Sequence, residues 1–177
     1  MSDIDISGLQ LLEVPEGRDE RGWMRRVFDV DVFGEVEIDL TPRQVSIATN
    51  SIFGTLRGLH FQKSPHSEMK LVSCVRGRIF DVVVDLRSDS STYADWKAFE
   101  LDSRTPQAVF IPRGCAHGYL TLDAGSEVLY VIDSAYNPAS QGGVHWEDPQ
   151  LNIPWPFRPK LISERDSSLP FLGNLEK

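Results

Sequence analysis

Residues 54–62, GTLRGLHFQ, set an arginine and a histidine among apolar neighbours in what is predicted to be a strand entering a core. His60 has two interpretations. It is either a core residue bonded to backbone or a base ready to take a proton, because an imidazole with an unperturbed pKa of about 6.5 is neutral yet basic near pH 7. Arg57, in the same stretch, carries a planar guanidinium that suits two-point bonding to phosphate oxygens.

A second pattern lies in IPRGCAHGY, where Pro112, Gly114 and His117 have the spacing PxGxxH. This resembles the second half-motif of the cupin jelly roll, in which a Pro-Gly turn leads into a strand whose His points into the barrel. Metal-binding cupins bring two His and a Glu from the first half-motif, which supply nitrogen and oxygen ligands. Here residues 60–62 read His-Phe-Gln and His66 falls in a predicted loop. We therefore expect the barrel without a metal ion.

Strands must position these side chains, and residues 70–87, KLVSCVRGRIFDVVVDLR, predict two of them. The two apolar runs are separated by RGR, where Gly77 permits the positive φ of a tight hairpin. The second run has unequal faces. One face carries Phe80, Val82, Val84 and Leu86, and the other carries Ile79, Asp81, Val83 and Asp85.

Four further strands are predicted at residues 96–101, 108–111, 118–122 and 127–133, each bounded by Gly, Pro, Ser or Asp. Short strands at such spacing are typical of a sandwich or barrel. Only VFDVDVFGE has the pattern of a short helical turn. We expect an all-β fold with short flanking helices and a single domain over residues 1–177.

Composition excludes several classes of protein. The net charge of −8 argues against a nucleic-acid surface, although a few local cations can still hold a small anionic ligand. The opening residues lack a secretory pattern, and no stretch approaches the roughly 20 apolar residues of a membrane span, so a cytoplasmic location is expected. Cys74 and Cys115 are too few for a disulfide framework or a zinc site and are predicted to be core residues.

Eight segments then occur in the order found in the dTDP-4-dehydrorhamnose 3,5-epimerase family, which the chain resembles over nearly its whole length. They are DERGWMRRVF, QVSIATN, GTLRGLHFQ, KLVSCVRGRIFDVVVDLRSDSSTY, IPRGCAHGYLTL, EVLYVIDSAYNP, WEDPQLNIPWP and SERD. The resemblance implies a cupin-type jelly roll that is typically dimeric, needs no cofactor and acts on nucleotide-linked 4-keto sugars.

That chemistry needs a base aligned with a C–H bond beside a ketone, stabilisation of the enolate oxygen, and an acid on the opposite face. The resemblance implies that His60 is the base and that the Asp166 carboxylate bonds its other ring nitrogen. It implies Tyr130 as the acid, ahead of Tyr136, which takes a ligand-contacting role. Lys70 falls where the family carries a lysine near the keto oxygen.

The remaining candidates bind the substrate. Arg57 and Arg21 suit a pyrophosphate, and in some family members the residue at the position of Arg21 reaches across a dimer interface. Gln44 and Asn50 offer neutral donors to the sugar or its phosphates. His117 either donates to the keto oxygen or fixes its turn.

Two departures from the family pattern concern the nucleotide. Met24 stands where Phe is common in the family. The segment NPASQG, which follows Tyr136, lacks a Glu that the family carries there. We expect an epimerase that inverts C3, C5 or both in a 4-keto-6-deoxyhexose. The alternatives are a 3,4-ketoisomerase, a non-catalytic sugar-binding cupin and a metal-dependent cupin enzyme.

Overall fold

The computed structural model describes residues 4–35 and 38–175, most of whose regular structure is β-strand. In chain order the strands are β1 (Gln10–Glu13), β2 (Glu16–Asp19), β3 (Gly22–Arg25), β4 (Gln44–Asn50), β5 (Thr55–Gln62), β6 (Lys70–Arg76), β7 (Arg78–Asp85), β8 (Trp96–Asp102), β9 (Gln107–Ile111), β10 (Cys115–Thr121), β11 (Ser126–Ile132), β12 (Gln141–Gly143) and β13 (Leu161–Ile162). Two short helices, α1 (Val30–Gly34) and α2 (Glu164–Ser167), and 3-10 turns at Pro138–Ser140 and Leu172–Asn174 complete the elements.

Two sheets form the body. The first has the order β1-β9-β6-β11-β4, and the second has the order β12-β5-β10-β7-β8 with β13 joined in parallel to β5. Strands β2 and β3 form a separate hairpin. The all-β jelly roll with short flanking helices is confirmed, and the predicted helical turn is α1. Along the described ranges, no helix combines the length and the apolar character that crossing a membrane requires.

The predicted hairpin at Gly77 is wrong. Strand β6 pairs with β9 and β11, whereas β7 pairs with β8 and β10, so the two runs lie in different sheets. Gly77 has φ 70° and makes the corner at which the chain crosses between them. A Cβ there would lie 2.6 Å from the Ser126 hydroxyl oxygen. Glycine is required for the conformation that the sequence suggested, but the pairing partners are decided by distant strands.

Three apolar layers explain why β6, β7 and β10 are buried on both faces. Ile79 and Val83 of β7 join a cluster that contains residues of both sheets, while Val82 and Val84 pack against the C-terminal segment. The N-terminal segment covers the outer face of the first sheet. The unequal faces predicted for the second apolar run, which forms β7, are confirmed. Cys74 and Cys115 are buried free thiols, as expected.

A β-bulge in β5 determines where its side chains point. His60 pairs with His117 and Arg57 pairs with Tyr119, so two residues of β5 stand opposite the single residue Gly118. Because side chains alternate along a regular strand, residues three apart would otherwise face opposite sides. Gly58 sits at this bulge with φ 127°, and a Cβ there would lie 2.4 Å from the Gly118 Cα.

Replacement of Gly58 by alanine should therefore force the two strands apart. We expect Gly58→Ala to lower the free energy of unfolding by about 2 kcal/mol or more, as measured by urea denaturation. Gly34→Ala is the matched control, because a Cβ at Gly34 meets nothing within 4 Å. Equal stability of the two variants would contradict the close approach.

Candidate active site

A cavity of about 470 Å³ opens between the two sheets. Strands β4, β6 and β11 contribute to its wall from one sheet, and β5 and β10 contribute from the other. Eight of the residues predicted for the site line it: Gln44, Arg57, His60, Lys70, His117, Tyr130, Tyr136 and Asp166. Asn50 and Arg21 lie outside its lining.

The imidazole of His60 is bonded to a buried carboxylate. His60 Nε2 lies 2.8 Å from Asp166 Oδ1, and the Gly58 N–H donates to Asp166 Oδ2 at 3.1 Å. Burial alone would raise the pKa of Asp166, but the hydrogen bond and charge of His60 and the bond from Gly58 hold it below its usual value. An ionised carboxylate only accepts hydrogen bonds, so Nε2 carries the ring proton and Nδ1 keeps a basic lone pair.

The chain's C-terminal part brings Asp166 to β5. Strand β13 pairs in parallel with the first residues of β5, and α2 follows at once. Ser163 caps α2, its hydroxyl accepting from the Asp166 N–H at 3.0 Å. This fixes the carboxylate beside the bulge at Gly58, although 106 positions separate Asp166 from His60.

Tyr130 projects into the cavity from β11, in the sheet opposite His60. Burial raises the pKa of its phenol well above the usual value, Tyr119 and Asp81 add to the rise, and Arg57 opposes it. The phenol is therefore protonated at neutral pH and available as a donor. A group held between the two sheets would have an imidazole and a phenol on opposite sides.

Lys70 is a buried cation in the wall of the same cavity. Its Nζ donates to the His60 carbonyl oxygen at 3.2 Å and lies 3.0 Å from Glu68 Oε1. An ammonium in this position can stabilise negative charge that develops on a substrate oxygen. Sequence reasoning did not single out Glu68.

His117 forms a second imidazole–carboxylate pair, with Nε2 2.7 Å from Asp81 Oδ1. Both side chains are buried, Asp81 Oδ2 has no hydrogen-bond partner within the described chain, and the His117 ring meets the Tyr130 ring edge-on at 5.9 Å. Sequence reasoning missed Asp81 as a site residue. The signal was its alternation with Ile79 and Val83, which put a carboxylate on an inward face.

Arg57 is held by the amide of a buried asparagine. Its Nε donates to Asn50 Oδ1 at 2.8 Å, and Asn50 Nδ2 donates to the Tyr119 hydroxyl and to the Ser126 carbonyl oxygen, both at 3.1 Å. Asn50 is only 2% exposed. Its polar atoms are thus engaged within the protein, and it orients Arg57 instead of reaching the cavity.

The family model of dTDP-4-dehydrorhamnose 3,5-epimerase matches residues 3–174. The chain belongs to this family. A dTDP-4-dehydrorhamnose 3,5-epimerase of Sinorhizobium fredii is 36% identical to this chain, and the match covers 97% of this chain and 89% of the relative. A dTDP-4-dehydrorhamnose 3-epimerase of Streptomyces niveus is 37% identical, and the match covers 96% of this chain and 82% of the relative. The crystal structure of a dTDP-6-deoxy-D-glucose-3,5-epimerase from Legionella pneumophila in complex with dTDP-4-keto-L-rhamnose has a TM-score of 0.92, with 32% identity over 98% of this chain and 92% of that one. The chain is thus an epimerase, an isomerase with the cupin-type fold.

In this epimerase the position of a possible second metal-binding His is filled by Gln62. Its amide nitrogen donates to His66 O at 3.1 Å, to Glu68 Oε2 at 2.8 Å and to Ala135 O at 3.3 Å. Across residues 4–35 and 38–175, no three His, Cys, Asp or Glu side chains form a set that could hold a metal ion. The metal-free site stays a prediction.

Two predicted ligand contacts of the epimerase lie at the cavity mouth. Gln44 Nε2 donates to the Ser134 carbonyl oxygen at 2.6 Å, and the exposed Tyr136 hydroxyl donates to Gln141 Oε1 at 3.2 Å. Arg165 lines the same cavity and adds a cation that sequence reasoning missed.

Arg21, by contrast, lies at the turn of the β2–β3 hairpin and is paired with Asp19. Trp23 and Met24 of the same hairpin are 50% and 76% exposed. The hairpin therefore exposes an arginine and two large apolar side chains that are not part of the cavity lining of their own chain.

Replacing Asp166 with asparagine tests the carboxylate's charge. Because the folded-state pKa of Asp166 is held below its usual value, its contribution to stability is present above about pH 4 and is lost as pH falls through the folded pKa. The difference in free energy of unfolding between wild type and Asp166→Asn should therefore shrink as the pH falls from about 5 to about 2. Asp89→Asn, at an exposed site, should show no such trend.

Proposed function

We propose that this epimerase inverts C3, C5 or both in a nucleotide-linked 4-keto-6-deoxyhexose. The observation that carries the proposal is the opposition of His60, fixed by Asp166, and Tyr130 across one cavity between the sheets. The ligand in the Legionella pneumophila structure, dTDP-4-keto-L-rhamnose, supports this substrate class.

The first step is proton abstraction. His60 Nδ1 takes the proton from the carbon beside the ketone, the C–H electron pair forms a C=C bond, and the carbonyl electrons move onto oxygen. Asp166 stabilises the imidazolium that results. Lys70 and His117 lie on the cavity wall where they can stabilise the enolate oxygen.

The second step returns a proton to the opposite face. Tyr130 gives its phenolic proton to the carbon, the enolate collapses to the ketone, and the configuration is inverted. The positive charge of Arg57 opposes the rise in the Tyr130 pKa and so lowers the cost of the phenolate. Arg57 also suits the substrate diphosphate, and we assign to Asn50 the role of orienting the Arg57 guanidinium.

We further propose a homodimer in which the β2–β3 hairpin carries Arg21 to the partner's cavity. The exposure of Trp23 and Met24 supports an apolar contact, and Arg21 lies outside the cavity lining of its own chain. We also propose that residues 1–177 form one domain, since the described N-terminal segment packs on the first sheet and the described C-terminal segment packs on the second. The cytoplasmic location stays a prediction.

Solvent exchange tests the two proton-transfer roles. With a 4-keto-6-deoxyhexose nucleotide in deuterated water, wild type should place deuterium at C3 or C5, as read by NMR. His60→Asn should slow this exchange by about 100-fold to 10,000-fold, because the base is gone. Tyr130→Phe should keep exchange and lose inversion. His145→Asn, outside the cavity, is the control, and undiminished exchange in the His60 variant would refute its role.

Complementation tests the shared site. His60→Asn and Arg21→Ala should each be inactive alone, but mixed subunits should regain about a quarter of wild-type turnover after random reassortment, because one of two sites in each heterodimer is intact. Light scattering on the same samples measures the mass. A monomeric protein, or no regain in a verified heterodimer, would contradict the proposal.

A further inference from the structure

Glu68 is a carboxylate in the cavity wall that the steps above do not use. Its side chain is 11% exposed, with Oε1 3.0 Å from Lys70 Nζ and Oε2 2.8 Å from Gln62 Nε2. A carboxylate has about four lone-pair sites, so these two partners leave each oxygen able to accept another bond. Glu68 is among the residues that line the cavity.

Hexose hydroxyls need acceptors, and the cavity lining has two carboxylates. Asp166 is bonded to the imidazole of the proposed base and to the Gly58 N–H, so its carboxylate already orients His60. The other charged lining residues are donors, namely Arg57, Lys70 and Arg165. Within the lining that the structure describes, Glu68 is thus the carboxylate that does not bond the proposed base, and it is the anionic acceptor that we assign to the sugar.

The position of Glu68 beside Lys70 indicates which hydroxyl it meets. On the proposed function, Lys70 faces the oxygen on C4 of the sugar. In a 4-keto-6-deoxyhexose, C5 carries a methyl group and C3 carries a hydroxyl, so the donor next to the C4 oxygen is the 3-hydroxyl. We propose that Glu68 accepts a hydrogen bond from this hydroxyl and selects substrates that carry it. The inference rests on the proposed function and names its substrate class as sugars with a free 3-hydroxyl.

Two substrates separate this role from a structural one. A 4-keto-6-deoxyhexose nucleotide and its 3-deoxy analogue both keep exchangeable hydrogens beside the ketone. We expect wild type to exchange the 3-hydroxy substrate about tenfold to 100-fold faster in kcat/KM, as NMR of deuterium incorporation measures it. Glu68→Gln should reduce this preference to within about threefold, whereas Glu100→Gln, in an exposed ion pair on β8, should keep it.

The ratio between substrates isolates the contact, because loss of the charge beside Lys70 affects both substrates alike. A wild-type preference below about threefold, or an equal loss with both substrates in Glu68→Gln, overturns the proposal and leaves the epimerase function standing. A wild type that exchanges neither substrate overturns both. Where Glu68→Gln does not fold, the same ratio is measured on Glu68→Asp, whose carboxylate is set back by one methylene and whose preference should also fall; an unchanged ratio in this variant overturns the proposal.

Discussion

The close approach of two glycines in neighbouring strands is the constraint on which the site depends. Gly58 and Gly118 leave no room for a Cβ, and one extra residue in β5 is absorbed there. The bulge turns Arg57 and His60 towards the same cavity and gives the Gly58 N–H to Asp166. A regular strand would have put Arg57 and His60 on opposite faces.

The two-sheet architecture separates the proposed acid from the proposed base. His60 stands on the second sheet and Tyr130 on the first, so a ring between them meets each on a different face. Their carboxylate neighbours act differently. Asp166 pairs directly with His60, whereas Asp81 acts on Tyr130 through its charge and bonds His117, whose ring contacts the Tyr130 ring. A chain of net charge −8 thus keeps local cations around the cavity, which suits an anionic substrate.

The C-terminal segment links the stability of the fold to the geometry of the site. The C-terminal segment covers the outer face of the second sheet, and Asp148 fixes it by accepting from the Leu172 N–H at 2.6 Å. The same segment carries α2 and so Asp166, the partner of His60. Apolar burial on the outer face therefore helps to hold Asp166 beside the cavity on the inner one.

The sequence by itself determined the strand periodicity, the positive φ of Gly77 and the family, because these follow from local pattern or from matching segments. The pairing of His60 with Asp166 was implied only by the resemblance, and the tertiary structure brings these two side chains together across 106 positions. The tertiary structure decided which strands pair. Strands β6 and β7 lie in different sheets because each of them pairs with strands later in the chain and not with the other. It also decided that Asp81 bonds His117, that Glu68 forms an ion pair with Lys70 and that Asn50 accepts a hydrogen bond from Arg57. Such contacts depend on strand register and sheet packing, which bring together side chains that local spacing does not relate.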